Sequence, residues 1–200
     1  DQRQVRQFVK EFAEKEIEPY VEEYERQEKY PLDLIQKLAP LGLMGPMIPE
    51  KYGGSFSDVV SYGLICEELA RIDWVVASAV SVANSLAASS ILNFGTEEQK
   101  QEHLPRIAEG QSIATLAHAG SSESIAVAFR PEAGGVNLSG VADFVIDGCT
   151  ADLLIVAAKS ETDGEIGLFV VPGDASGLAR TAHPTLDQTR RLASVHFNDV

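Results

Sequence analysis

Adjacent carboxylates are the first place to look for acid–base chemistry, and Glu67 and Glu68 invite that reading. Neighbouring residues on a helix point about 100° apart, so these two cannot share a proton and read as helix-surface charges. Metal or redox chemistry needs a different pattern. Cys66 and Cys149 lie far apart and outside any Cys-x-x-Cys motif, and His103, His118, His183 and His196 show no metal-ligand spacing. The expectation is a reduced, cytoplasmic protein with neither a disulfide framework nor a metal site.

The elements that must position any site fall into two kinds. Val5, Phe8, Val9, Phe12, Ile17, Tyr20, Val21 and Tyr24 recur at three- and four-residue steps, which predicts an amphipathic helix, bent near Pro19 where a backbone donor is missing. A second helix is predicted from Pro31 through Leu41, stopped by Gly42. A third is capped by Ser57 or Asp58, a fourth covers Trp74–Asn93, and a fifth begins at a Thr96/Gln99 capping box. After Gly110 the period becomes strand-like. Ile113–His118, Ala126–Phe129, Val136–Leu138, Leu153–Ala157, Gly167–Val171 and Leu192–Phe197 are short apolar runs split by turn residues. The predicted class is therefore α+β: an all-α helical bundle over 1–110, then a small antiparallel β-barrel or sandwich over 111–200, left incomplete.

Composition narrows the function. A net charge of −14 over 200 residues argues against sequence-independent nucleic-acid binding and against an anionic membrane surface, but it allows a phosphorylated ligand held by a few basic groups or helix N-termini. No charged residue occurs from Trp74 to Thr96, long enough for a bilayer span. Serines and asparagines recur through the stretch, so a buried helix is expected rather than membrane insertion.

Three words stand in order along the first half: Pro-Glu-Lys-Tyr-Gly-Gly (Pro49 to Gly54), Cys-Glu-Glu-Leu-Ala-Arg (Cys66 to Arg71), and the long run from Asn93 to Gly110 beginning Asn-Phe-Gly-Thr-Glu-Glu. Together they resemble the N-terminal helical domain of acyl-CoA dehydrogenases. Ala151–Ser160, Gly167–Pro172 and Thr189–Val200 resemble that family's middle β-domain. The resemblance implies a three-domain, FAD-dependent enzyme ending in a second helical bundle, with the flavin between that bundle and the β-domain. A glutamate removes the α-proton of an acyl-CoA thioester while the β-hydride passes to the flavin. That glutamate falls beyond Val200, so no residue here is expected to be the catalytic base. An electron-transferring flavoprotein as acceptor and a homo- or hetero-oligomeric state are implied in the same way. Phe144–Gly148 and the Thr185–Val195 stretch further resemble actinobacterial members of steroid side-chain degradation, in which only one of two unlike subunits carries a full catalytic set. Two alternatives thus stand beside the dehydrogenase: a non-catalytic partner subunit completing a flavin or acyl cavity, and a related flavin monooxygenase or oxidase.

The family's flavin-facing Thr-Glu-Pro … Gly-Ser-Asp motif falls on Leu116 to Ser124, where the Glu-Pro is gone but Gly120, Ser121, Ser122 and Ser124 remain. The resemblance makes Leu116, His118, Ala119, Ser122 and Ser124 candidate cofactor contacts, with His118 or Ala119 at the Thr position. The competing reading is a solvated serine-rich loop. Its Trp-Ile-Thr-Asn motif matches Phe144 to Asp147. Phe144 keeps an aromatic face for the isoalloxazine, whereas Ile146 replaces a hydroxyl donor; the competing reading makes both ordinary core residues. Arg190 and Arg191 read either as phosphate or subunit contacts or as surface ion pairs.

Overall fold

The computed structural model describes residues 1–55, 57–118, 125–132, 135–187, 189 and 192–200. Helices fill one unit, Asp1–Ser112, and strands fill the other, which takes in Ile113–Asp187 and the final strand.

In the helical unit, α1 (Gln2–Glu16) opens with a reciprocal cap between Asp1 and Gln4 and buries Val9 and Ala13, followed by buried Ile17. Ile17 interrupts the helix, and α2 (Glu18–Gln27) restarts with Pro19 in its first turn, where no N–H is needed. Phe8 stays exposed and, with Phe12, Lys37, Pro40 and Leu41, lines an open groove of about 500 Å³. The second predicted helix is shorter than expected. It runs as α3 (Leu32–Gln36) and then tightens to a 3-10 turn, Ala39–Leu41, that Gly42 closes at φ 70°. Pro40 explains the stop, since it has no N–H to extend the ladder and disfavours helical geometry in the residue before it.

Asp58, not Ser57, caps α4 (Val59–Ala70), its Oδ1 accepting from the Val60 and Ser61 N–H groups. Glu67 is exposed, as a surface charge should be, but Glu68 is buried and corrects that reading. Its two oxygens accept from Arg6 Nε at 2.6 Å and Arg71 Nε at 3.2 Å, and Arg71 also reaches Glu14 at 2.7 Å. The network ties α4 back onto α1.

The next helix is a single run, Trp74–Phe94, built from α5 (Trp74–Ser81), a π-helical stretch (Val82–Ala88) and α6 (Ser89–Phe94). It is long and apolar enough to cross a membrane by composition alone, and 61% of its most apolar window is buried. Its π register has a local cause. Asn84 Nδ2 donates to the Val80 carbonyl at 2.9 Å, and Ser85 Oγ donates to the Ser81 carbonyl at 2.6 Å. Both acceptors lie four residues back, where an α-helical N–H would bond, so the ladder slips to the wider spacing. Thr96 and Gln99 form the predicted box at the start of α7 (Glu97–Ala108).

The sheet unit contains seven strands among the described residues: β1 (Ala114–Ala117), β2 (Val127–Glu132), β3 (Gly135–Ile146), β4 (Leu153–Ser160), β5 (Ile166–Pro172), β6 (Leu178–Ala182) and β7 (Leu192–Phe197). Their order is β1-β4-β2-β3-β7-β6, with β5 also on β4. The expected antiparallel pairing holds for β2/β3, β3/β7, β6/β7 and β4/β5. Two pairs are parallel instead: β1 lies along Leu153–Val156 of β4, and β2 continues at Lys159 and Ser160. The sheet is therefore mixed, and β4 is its centre, buried at nearly every position as a strand covered on both faces must be. Ala117, Val127, Leu138, Leu154, Val156, Val195 and Phe197 make up much of the core.

The candidate cofactor cavity of the sheet unit

β3 is regular until Ala142, which pairs with Val195, and resumes at Val145, which pairs with Ala193. Two residues, Asp143 and Phe144, thus face the single residue Ser194: a β-bulge, the device by which a strand re-aims a side chain. Phe144 takes φ 56° and Asp147, just past the strand, takes the same value. A left-handed backbone costs a bulky residue about 1–2 kcal/mol and persists only where its surroundings enforce it.

The bulge turns Phe144 outward, with 59% of its surface exposed, against a cavity of about 240 Å³. Its wall combines Ala117, Ala126, Ala142 and Ala157 with the branched Ile125, Val127 and Val141, joined by His118, Asp143 and Phe144. β1 delivers Ala117 and His118 because Asp152 anchors its entrance, Oδ2 accepting from the Ile113 N–H at 2.9 Å. Buried Thr115 then donates its hydroxyl to the Ile146 carbonyl at 2.7 Å, tying β1 to the end of β3.

Beside Phe144 lies a second set of groups. His183 stacks on its ring, centroids 4.9 Å apart and planes 18° from parallel. The imidazole is placed by the continuation of β6 along β7, the His183 N–H donating to the Leu192 carbonyl at 2.8 Å. Ser194 Oγ lies 2.9 Å from His183 Nε2 and also bonds Asp143 Oδ1. A hydroxyl has one proton and a carboxylate only accepts. Ser194 therefore donates to Asp143, and His183 Nε2–H donates to Ser194. This polarity is the reverse of what a general base needs to activate a serine, so the trio holds position rather than forming a nucleophile.

Of the residues singled out from sequence, His118 and Phe144 meet at this cavity. Leu116 is half-buried on β1 opposite Ile155, and Ile146 is half-buried on β3 opposite Leu192. Ala119, Ser122, Ser124, Arg190 and Arg191 lie outside the described residues. Sequence reasoning missed Asp143, His183, Ser194 and Thr115, which are far apart in the chain and gathered only by the bulge and the strand order. Among the described residues no group of His, Cys, Asp or Glu is gathered to hold a metal ion.

Residues 1–111 match the family model for the acyl-CoA dehydrogenase N-terminal domain. An acyl-CoA dehydrogenase of Bacillus subtilis is 37% identical over 185 residues, which cover 88% of this chain and 49% of the relative. Glutaryl-CoA dehydrogenase from Mycobacterium smegmatis, solved in complex with FADH2, superposes with a TM-score of 0.92 at 29% identity, covering 100% of this chain and 53% of that one. A chain from the structure of the electron transferring flavoprotein of Acidaminococcus fermentans gives 0.92 at 31% identity, covering 99% and 55%. The chain thus spans about half the length of the curated relatives it matches. On the family match across its helical unit and the likeness across both units, the chain belongs to the acyl-CoA dehydrogenase family.

Proposed function

We propose that this chain supplies the helical and sheet units of an FAD-dependent dehydrogenase that oxidises the α,β carbons of an acyl-CoA thioester. The observation that carries the reading is the Phe144 cavity. At about 240 Å³ it is smaller than the ~300–1,000 Å³ usual for a drug-sized ligand, so it suits one planar ring system rather than a whole dinucleotide. Four alanines leave a slot, and an exposed aromatic ring forms its wall. These residues fit an isoalloxazine.

In this reading Phe144 packs on the flavin ring and the alanines exclude water from it. Polar contacts come from backbone groups near Ala117 and His118, since the Thr115 hydroxyl is already committed to Ile146 and the Ile146 side chain has no donor. The chemistry FAD supplies when bound is hydride acceptance from the β-carbon. The proton-abstracting carboxylate comes from outside these 200 residues, as do the contacts that complete an oligomer. An electron-transferring flavoprotein as acceptor and a cytoplasmic setting, where Cys66 and Cys149 remain free thiols, belong to the same proposal. The missing donor at Ile146 favours one second reading, a non-catalytic subunit that completes the cavity of an active partner; a related monooxygenase or oxidase would use the same slot.

The test is flavin retention by the full protein, alone and with a co-purified partner subunit. Wild type is expected to keep flavin absorbance, and Phe144→Ala to weaken FAD binding about five- to tenfold, the range an aromatic stack supports. Retention only with the partner selects the second reading. No flavin under either condition overturns both.

A further inference from the structure

A bulky residue in left-handed backbone, half-exposed at a cavity, must be held there by something. Phe144 has φ 56°, and its ring packs on one side against His183 at 4.9 Å. The other groups facing His183 are Ser194, at 2.9 Å from Nε2, and Asp143, at 4.0 Å. Ser194 is nearly buried and sits opposite the two bulged residues, so its hydroxyl grips the bulge through Asp143 and the imidazole through Nε2.

We propose that His183 is a positioning residue: with Ser194 and Asp143 it forms a backstop that fixes the Phe144 ring as the cavity wall, and it influences the bound ring system only through Phe144. The imidazole, which is not among the residues lining the cavity, supplies a flat face 18° from parallel with the Phe144 ring. Ser194 sets the rotation of that imidazole, and Asp143, from the bulge itself, closes the loop of contacts. A ring free to rotate would fill the slot in some orientations and leave it open in others. Holding it removes that ordering cost before a ligand arrives.

The inference rests on the flavin reading for the identity of the ligand, but the backstop is testable without one. In the full protein, a double-mutant cycle between His183 and Phe144 is measured twice, once as urea-unfolding midpoints without flavin and once as FAD dissociation constants. His183→Ala is expected to weaken FAD about fivefold in the wild-type background and to change it less than twofold when Phe144 is already Ala. His183→Phe, which keeps a flat face, is expected to recover most of the loss; it also serves as the reporting variant should His183→Ala fold poorly. A merely structural histidine would move stability alone, additively with Phe144→Ala, and leave FAD affinity unchanged. That outcome, or additive losses in FAD affinity, overturns the proposal. If wild type binds no FAD, the flavin reading fails by itself, and the ligand-free cycle still decides: non-additive midpoints support the backstop and additive ones sink it.

Discussion

Single side chains hold the sheet unit together at points no sequence pattern marks. Arg180, on β6, sends Nη1 to the Cys149 carbonyl at 3.1 Å and Nη2 to the carbonyls of Ala151 and Gly173 at 2.9 and 2.7 Å. Gly173 has no room for anything larger, since a Cβ there would meet the Ala151 oxygen at 2.4 Å. Removing the guanidinium strands three carbonyls, two on the turn before β4 and one just after β5. Arg180→Ala is therefore expected to cost about 2–3 kcal/mol, with Arg180→Lys recovering only part of it because an ammonium lacks the planar fork; urea denaturation of both variants checks this. Phe144 was legible beforehand because a family motif falls on it. His183 and Ser194 were not, because they reach it through an extra residue in β3, and a bulge leaves no imprint on hydrophobic alternation.

Helices were the more readable elements, since a period near 3.6 with Ser, Thr and Asp caps states both type and start. Asp58 and Thr96 show this directly. The π stretch was hidden, for Val82–Ala88 has the same apolar density as the turns around it. Its written signs are Asn84 and Ser85, two polar residues in an apolar run. Asn84 is buried, donates to the Met44 and Val80 carbonyls at 2.9 Å each, and accepts from the Met47 N–H at 3.1 Å. It thereby clasps the 44–47 connection to the helix. Asn84→Leu should cost about 2–4 kcal/mol by stranding those backbone groups, and Asn84→Asp should fail to rescue because a carboxylate cannot donate to Met44. Thermal melts rank the variants, and an Asn84→Asp melt equal to wild type would contradict the assignment. Among strands, β6 went unread because Leu178–Ala182 carries Arg and Thr on a half-exposed edge. The parallel pairings of β4 went unread because strand partners are set by three-dimensional order, which local pattern does not encode.

For the molecule as a whole, stability should depend on pH through its carboxylates. Arg6, then Arg71, holds Glu68 below its ordinary range; Lys37 does so for Glu16, the Tyr24 hydroxyl for Asp33 and the Ser61 hydroxyl for Asp58. Each binds its proton more weakly folded than unfolded. Their contribution is thus complete above the unfolded values near pH 4 and is lost as pH falls through the lower folded ones. Burial also holds His103 below its ordinary range, so urea midpoints are expected to ease downward as pH falls from about 7 to 5 and to drop further below about pH 4; a midpoint rising on acidification would contradict this. Tyr24 runs the other way. Its hydroxyl bond to Asp33 pushes it up to about 12, so its contribution is complete below about pH 10 and is lost as pH climbs toward the folded value. The mixed sheet has one more consequence, for assembly. Among the described residues β1 pairs with β4 alone, in parallel, and the contact that seats it, Ile113 to Asp152, spans 39 positions of chain. Hairpins such as β2/β3 can close as soon as they emerge from a ribosome, but a parallel pair cannot be made from a hairpin. The first strand to be synthesised therefore waits, unpaired, until β4 has been made.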